Sequence, residues 1–199
     1  MTQDARGSWP IKLRDEELLL APLKFAHRRS WNEVRNRNRE WLNPWEATRP
    51  IIEGRPDANL VLPSYFQMVR HYAVEARALR SISLGIWRYS NSELKFIGQI
   101  TLGGIVFGAM RGAHIGYWID QKYANQGLTT RAVNLMVHYG FKELALHRIE
   151  INLRPENEAS ARVAQKAGFS YEGIRPRYLH INGEWRDHAT YIRENPLIR

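Results

Sequence analysis

The residues best placed for chemistry are concentrated at positions 117–169. Tyr117-Trp118-Ile119-Asp120 reads as a strand and leads into a turn at 121–130, where Gly127 is followed by Leu128, Thr129 and Thr130. A glycine turn at the start of a helix directs unpaired backbone N–H groups outward, and the helix end carries about half a unit of positive charge. Both favour a phosphate, so the turn is a candidate phosphate cradle. Neither Gly-x-Gly-x-x-Gly nor Gly-x-x-x-x-Gly-Lys-Ser/Thr occurs, which disfavours dinucleotide and P-loop nucleotide sites. Asn157 stands where a helix N-cap is expected, and Gly168 where a C′ glycine would end that helix.

These residues need a frame. From Gly127 to Leu144 the apolar residues recur at helical spacing: Ala132, Met136, Tyr139 and Gly140 on one side, with Val133, Val137, Phe141 and Leu144 beside them. The alternation from His147 to Leu153 predicts a strand. If the helix crosses over between that strand and the one at 113–119, the two run parallel. A parallel pair in an otherwise antiparallel sheet would splay near the turn and leave a slot. Upstream, 11–14 and 18–23 read as short strands, the second closed by proline. The stretch 27–42 reads as a helix with Trp31, Val34, Asn38 and Trp41 at helical spacing. Arg28, Arg29, Arg35, Arg37 and Arg39 are expected to form its solvated basic face. Four prolines make 43–63 a long loop, and Ser64 caps a helix running to Arg80 with Phe66, Val69, Ala73 and Ala76 on one face. Strands at 81–87, 94–107 (broken at Gly103-Gly104) and 113–119 follow as antiparallel hairpins. The reading is a single α/β (α+β) domain at 11–195 behind a tail at 1–10.

Composition narrows the classes. In 199 residues there is no cysteine, which excludes disulfides, thiolate catalysis and zinc–thiolate sites. A surplus of 29 basic over 20 acidic residues, with pI near 10, favours an anionic partner and disfavours polycationic acceptors such as polyamines. No apolar leader or membrane-length run is present, so a cytoplasmic location is expected.

The ordered series Gly116-Tyr117-Trp118-Ile119-Asp120, Gln126-Gly127-Leu128, His147-Arg148-Ile149-Glu150, Pro155-Glu156-Asn157-Glu158-Ala159-Ser160 and Ala167-Gly168-Phe169 resembles the GNAT N-acetyltransferases. The more specific similarity is to the RimJ/RimL-type branch, which acetylates the N-terminal amine of ribosomal proteins. Asn182-Gly183-Glu184-Trp185-Arg186-Asp187-His188 and Pro44-Trp45-Glu46 carry that closer likeness. The resemblance implies a GNAT-like mixed sheet, mostly antiparallel with one splayed parallel pair, flanked by helices. It also implies acetyl-CoA as cosubstrate, with no metal. The family's pyrophosphate turn, Gln/Arg-x-x-Gly-x-Gly/Ala, corresponds to Ala124-Asn125-Gln126-Gly127-Leu128-Thr129, so this chain departs from the pattern at Ala124 and Thr129.

By the same resemblance, Asn125, Gln126, Gly127, Leu128, Thr129 and Thr130 hold the pyrophosphate. The backbone of Tyr117, Trp118 and Ile119 pairs with the pantetheine arm, and Asn157 contacts the CoA arm. Ser160 matches the hydroxyl that protonates the leaving thiolate. Direct amine acetylation needs a neutral amine, a polarised carbonyl and a proton for sulfur, and no nucleophilic side chain. Glu150 is the base candidate, on one wall of the slot, with Asn152 sharing its face. Trp45 and Glu46 (the latter for an ammonium group), with Tyr178, Asp187 and His188, are expected at the acceptor site. Three readings follow: an acetyltransferase of a protein N-terminus, ribosomal in the closer likeness; an acetyltransferase of a small-molecule amine; and a non-catalytic basic module binding a ribosome or nucleic acid. Direct nucleic-acid binding is disfavoured, and oligomeric state is not legible.

Overall fold

The computed structural model describes residues 9–52, 62–90 and 93–198. One eight-stranded sheet runs through it in the order β1-β2-β3-β4-β5-β6-β8-β7. The strands are β1 (Leu13–Arg14), β2 (Leu18–Ala21), β3 (Ile82–Ser90), β4 (Glu93–Val106), β5 (Gly112–Ile119), β6 (Arg148–Leu153), β7 (Ser170–Ile181) and β8 (Glu184–Glu194). The helices are α1 (Arg28–Arg37), α2 (Arg39–Leu42), α3 (Tyr65–Arg77), α4 (Leu128–Lys142) and α5 (Glu158–Lys166). Among the described residues β5 and β6 are the one parallel pair; the other neighbouring strands run antiparallel.

That pair is joined over a short length. Gly112, Ala113 and His114 of β5 lie opposite Arg148, Ile149 and Glu150 of β6, and no pairing continues beyond them. The crossover helix α4 explains both facts. It buries Ala132, Val133, Met136, Val137, Tyr139 and Gly140 on the sheet, a stripe at the helical period. At Gly140 an added Cβ would lie 2.8 Å from Ile149 Cδ1, so the helix packs tightly on β6 where the strands are joined. Main-chain pairing of β6 passes instead to β8 along its full length. The expected splay is present.

Elsewhere the frame departs from expectation in instructive places. The helix expected at 27–42 is divided at Asn38, whose side chain turns inward instead of continuing a helical surface. Its Nδ2 donates to Asp120 Oδ1 (2.9 Å) and to the Val34 carbonyl (2.8 Å), while its Oδ1 accepts from the Gln121 amide (2.9 Å). Side chains that bond the backbone in this way compete with the helix ladder. The basic face of α1 is likewise not uniformly solvated: Arg37 pairs with Asp120 at 2.5 Å, and Arg35 pairs with Glu46. Ser64 caps α3 with Gln67 as its capping-box partner. The inward stripe of α3, however, is Tyr65, Met68, Val69, Tyr72 and Ala76, whereas Phe66 is exposed. Tyr72 wins the inner position because its hydroxyl accepts from Gln99 Nε2 at 3.1 Å. The loop expected at 43–63 is described only to 52 on its N-terminal side, and the turn expected at 90–92 lies largely outside the described residues. Trp9, assigned to the tail, packs against the main core cluster.

Candidate active site

A cleft of about 750 Å³ opens where β5 and β6 have parted. Three parts of the chain line it: the end of β5 with the following turn and first residues of α4; one face of α5 with the residues just before it; and the segment running from α1 to Ala47.

The turn supplies the electropositive wall. Gly127 is the N-cap of α4 at φ +75°, left-handed backbone that glycine adopts without steric cost. Asn125 is also left-handed, at φ +59°. No side chain caps this helix, and its first intrahelical bond within the turn is Arg131 N–H to the Gly127 carbonyl. The amides of Leu128, Thr129 and Thr130 therefore precede the helical ladder at a cleft wall, where a helix end attracts an anion. α5 presents a contrast. There Asn157 Oδ1 accepts from the Ser160 amide at 3.0 Å, so that helix start is already satisfied by its own chain.

The turn is braced from outside. Asp120 accepts from Arg37 and Asn38, and these bonds outweigh the rise that burial alone would cause, holding its carboxyl below the ordinary value. Gln126 does not line the cleft. Its Oε1 accepts from Arg88 Nη1 (2.8 Å) and its Nε2 donates to the Lys122 carbonyl (3.0 Å), which makes its side chain a strut of the turn. Ala124 and Thr129, the two departures from the family pattern, both line the cleft, Thr129 with its side chain buried.

At the strand wall, Tyr117 Oη lies 2.8 Å from Ser160 Oγ, and both residues line the cleft. Burial pushes the Tyr117 phenol up to about 12, against the opposing effect of the Ser160 hydrogen bond. The phenol is therefore neutral and protonated across the physiological range. Nothing in the sequence spacing marked this pair, since 43 residues separate its members. The Ile119 carbonyl, expected to face an extended ligand arm, already accepts from Trp41 Nε1 at 3.3 Å.

The third wall is aromatic and carries one carboxylate. Trp41 and Trp45 line the cleft here together with Glu46 and Arg35, and Trp118 meets them from the strand wall. The Arg35 guanidinium pairs with Glu46 and lies over both Trp118 (5.1 Å) and Trp31 (5.7 Å). Arg154 lies over Trp45 at 5.3 Å and donates to the Pro44 carbonyl at 3.0 Å.

Of the expected site residues, the structure gathers Tyr117, Trp118, Ile119, Asn125, Gly127, Leu128, Thr129, Thr130, Asn157, Ser160, Trp45 and Glu46 around one cleft. Glu150, Tyr178, Asp187 and His188 are not part of that lining. Glu150 is buried beside the joined end of β5 and β6, where its carboxylate accepts from Arg175 (2.8 and 3.0 Å), Arg148 (3.0 Å) and Asn152 (3.3 Å). Burial alone would raise that carboxyl; these donors outweigh it and hold it below its ordinary 4.5. His188 is buried with its Nδ1 3.0 Å from the Arg186 carbonyl oxygen, and burial lowers its pKa. Tyr178 stacks edge-on with His188 and beneath Arg175, while Asp187 accepts from the Arg177 amide at 2.8 Å.

Comparison with known proteins agrees with this geometry. The family model described as acetyltransferase (GNAT) domain matches residues 17–170. A probable N-acetyltransferase, YjcK, of Bacillus subtilis is 37% identical over 170 residues, covering 74% of this chain and 93% of that protein. The ribosomal protein uS5-alanine N-acetyltransferase of Escherichia coli is 30% identical over 163 residues, covering 80% of this chain and 78% of that protein. The structure of Mycobacterium smegmatis RimJ in complex with CoA-disulfide superimposes with a TM-score of 0.78 at 30% identity, covering 94% of this chain and 88% of that one.

Proposed function

This chain belongs to the GNAT acetyltransferases and takes acetyl-CoA as its cosubstrate; we propose that it passes the acetyl group to the N-terminal α-amino group of a protein. The observation that carries the reading is the joining, in one cleft, of an uncapped helix start to three tryptophans and a carboxylate. The amides of Leu128, Thr129 and Thr130 suit the pyrophosphate, and the parted edge of β5 at Tyr117 and Trp118 suits the extended arm. Glu46 suits the incoming ammonium, with the indoles of Trp41 and Trp45 covering the aliphatic part of the first residue. Relatives that acetylate ribosomal proteins favour an acceptor of that kind, and a cytoplasmic setting follows from it.

The chemistry asks little of the protein. An α-amino group has a pKa near 8, so about a tenth is neutral at pH 7 and solvent can take its proton. Its lone pair attacks the thioester carbonyl carbon, the acylated nitrogen gives its surplus proton to solvent, the carbon–sulfur bond breaks, and sulfur departs as thiolate. Ser160 Oγ–H donates to that sulfur, and Tyr117 holds the hydroxyl at 2.8 Å in its donor role. Glu150 is assigned to the framework. A carboxylate held by Arg148 and Arg175 below its ordinary range is a weak base, and it lies outside the cleft lining. Purified protein supplied with acetyl-CoA and a panel of N-terminal peptides and small amines should release CoA fastest with peptides. Equal or greater turnover of small amines would overturn the acceptor assignment, and no turnover with any amine would overturn the transfer itself.

A further inference from the structure

The Asn182-Gly183 segment, singled out by the family resemblance, lies outside the cleft lining and so is unexplained by the proposed chemistry. It forms the tip of the β7–β8 hairpin. Asn182 and Gly183 are both left-handed, at φ +48° and +87°, the pattern of the tight two-residue turn that Asn-Gly favours. A tip of this kind normally leaves its amides to water. Here both are taken by the segment that carries Trp45 and Glu46. Asn182 N–H donates to the Glu46 carbonyl (2.9 Å), and Gly183 N–H donates to Thr48 Oγ1 (2.9 Å). The Thr48 amide in turn donates to the His180 carbonyl (2.9 Å), and His180 Nδ1 lies 2.8 Å from Thr48 Oγ1. Ala47 bridges to Ile181 as an isolated antiparallel pair, and Ile181 is buried.

From these contacts we infer that the hairpin tip is the anchor for the acceptor wall, and that Thr48 is a positioning residue that sets which amines the cleft accepts. Its side chain does not line the cleft itself; it fixes the register of residues 45–47, each of which lines the cleft. After the 3₁₀ turn at Asn43–Trp45, the backbone of residues 46–48 has, among the described residues, no strand partner other than the tip, so the tip joins Arg35 and Arg154 in fixing where the Glu46 carboxylate stands. An anchor made by the distant end of the chain lets the acceptor site change with the hairpin while the CoA turn stays as it is.

The inference rests on the proposed peptide acetylation, and its test keeps the two apart. Thr48→Val removes the hydroxyl at constant shape, and Thr48→Ser keeps it. In steady-state kinetics with the best peptide of the panel, Thr48→Val should raise the peptide KM about threefold to tenfold, the scale of one or two lost hydrogen bonds. Its kcat and its calorimetric Kd for CoA should stay within about twofold of the parent, and Thr48→Ser should restore the peptide KM. A peptide KM unchanged in Thr48→Val overturns the inference, as does an equal loss in both variants or a parallel loss of CoA affinity. If the parent chain acetylates no amine, the proposed function has failed, and the anchor is judged by hydrogen exchange alone. Faster exchange of the Thr48 and Asn182–Gly183 amides in Thr48→Val supports it; unchanged exchange overturns it.

Discussion

The two ends of the β5–β6 pair are built from the same two strands and have opposite characters. At the joined end, Gly112–His114 meets Arg148–Glu150, and the charges there are closed on one another: Glu150 with Arg148 and Arg175, Arg148 also with Glu172. At the parted end, the backbone of Tyr117 and Trp118 faces a cleft, and the neighbouring helix start is uncapped. The ionic cluster ties β6 to β7 across β8 at the end where β6 also joins β5 over three residue pairs, and beyond those pairs the two strands part with α4 crossing between them. The cluster is a clamp on the β6 side of the slot's closed end, and it fixes β6 from the flank away from β5. Glu150 belongs to the clamp and Ser160 to the slot, although both stand near the same parallel pair.

The largest effect that could break this contrast lies in the clamp. Glu150→Gln would leave Arg148 and Arg175 facing a neutral group, and removing one partner of a buried ion cluster is costly. Discounted for the partial exposure of Arg175, the loss of folding stability should be about 2–3 kcal/mol by chemical denaturation. The folded fraction should still turn over. A variant of parental stability with abolished acetylation would return Glu150 to the role of base. The pH dependence carries the same sign. Because the folded-state pKa of Glu150 is depressed, its contribution is present above the ordinary 4.5 and disappears as pH falls through the lower folded value. The acid unfolding edge of the parent should therefore be steeper than that of Glu150→Gln.

In the slot, Ser160→Ala should lower kcat about thirtyfold with little change in either KM. That is modest for a proton donor, because a thiolate leaves readily without help. Tyr117→Phe should produce a smaller fall in the same parameter, since Ser160 keeps its hydroxyl and loses only its holder. Full activity in both variants would show that sulfur takes its proton from water. The turn is tested separately. Gly127→Val places a β-branched residue at φ +75°, a cost of about 1–2 kcal/mol in the left-handed region, which corresponds to roughly tenfold weaker CoA binding if the turn opens to relieve it. Calorimetry reads this directly, and an unchanged Kd would move the pyrophosphate to another wall.

The same contrast explains what was legible in the sequence. The slot's cofactor walls come from one continuous stretch, 117–160, so local signals sufficed: a glycine before a helix, an N-cap asparagine, a crossover long enough to make strands parallel. The stripe of α4 was readable residue by residue because every member faces one sheet. The clamp was not readable. Its members are Arg148, Glu150, Glu172 and Arg175, and a charged residue in an alternating strand signals exposure, not partnership with a strand two places away in the sheet. Asn38 fell at helical spacing with Trp31, Val34 and Trp41, but nothing in that spacing showed that it would break the helix to reach Asp120. The acceptor wall lay between these extremes. Both of its segments were visible as motifs, and their contact through Thr48 depends on a hairpin register that no local pattern specifies.

The smallest expected effect concerns that wall and sharpens the contrast most finely. Glu46 is about one-third exposed and already paired with Arg35, so it is neither closed like Glu150 nor free like the α4 amides. Glu46→Gln should leave stability and CoA binding almost unaltered. An exposed ion pair is worth about 0.2–1 kcal/mol, so the peptide KM should rise only about twofold to fivefold. That rise should shrink as salt is added, because screening weakens the parent's attraction for the ammonium while the glutamine variant has little to lose. Kinetics at low and high ionic strength decide the matter. A salt-independent rise would mean that Glu46 acts through the position of Trp45 and not through its charge. The acceptor wall would then be a second scaffold, and the contrast between a closed end and an open end would hold for the cofactor alone.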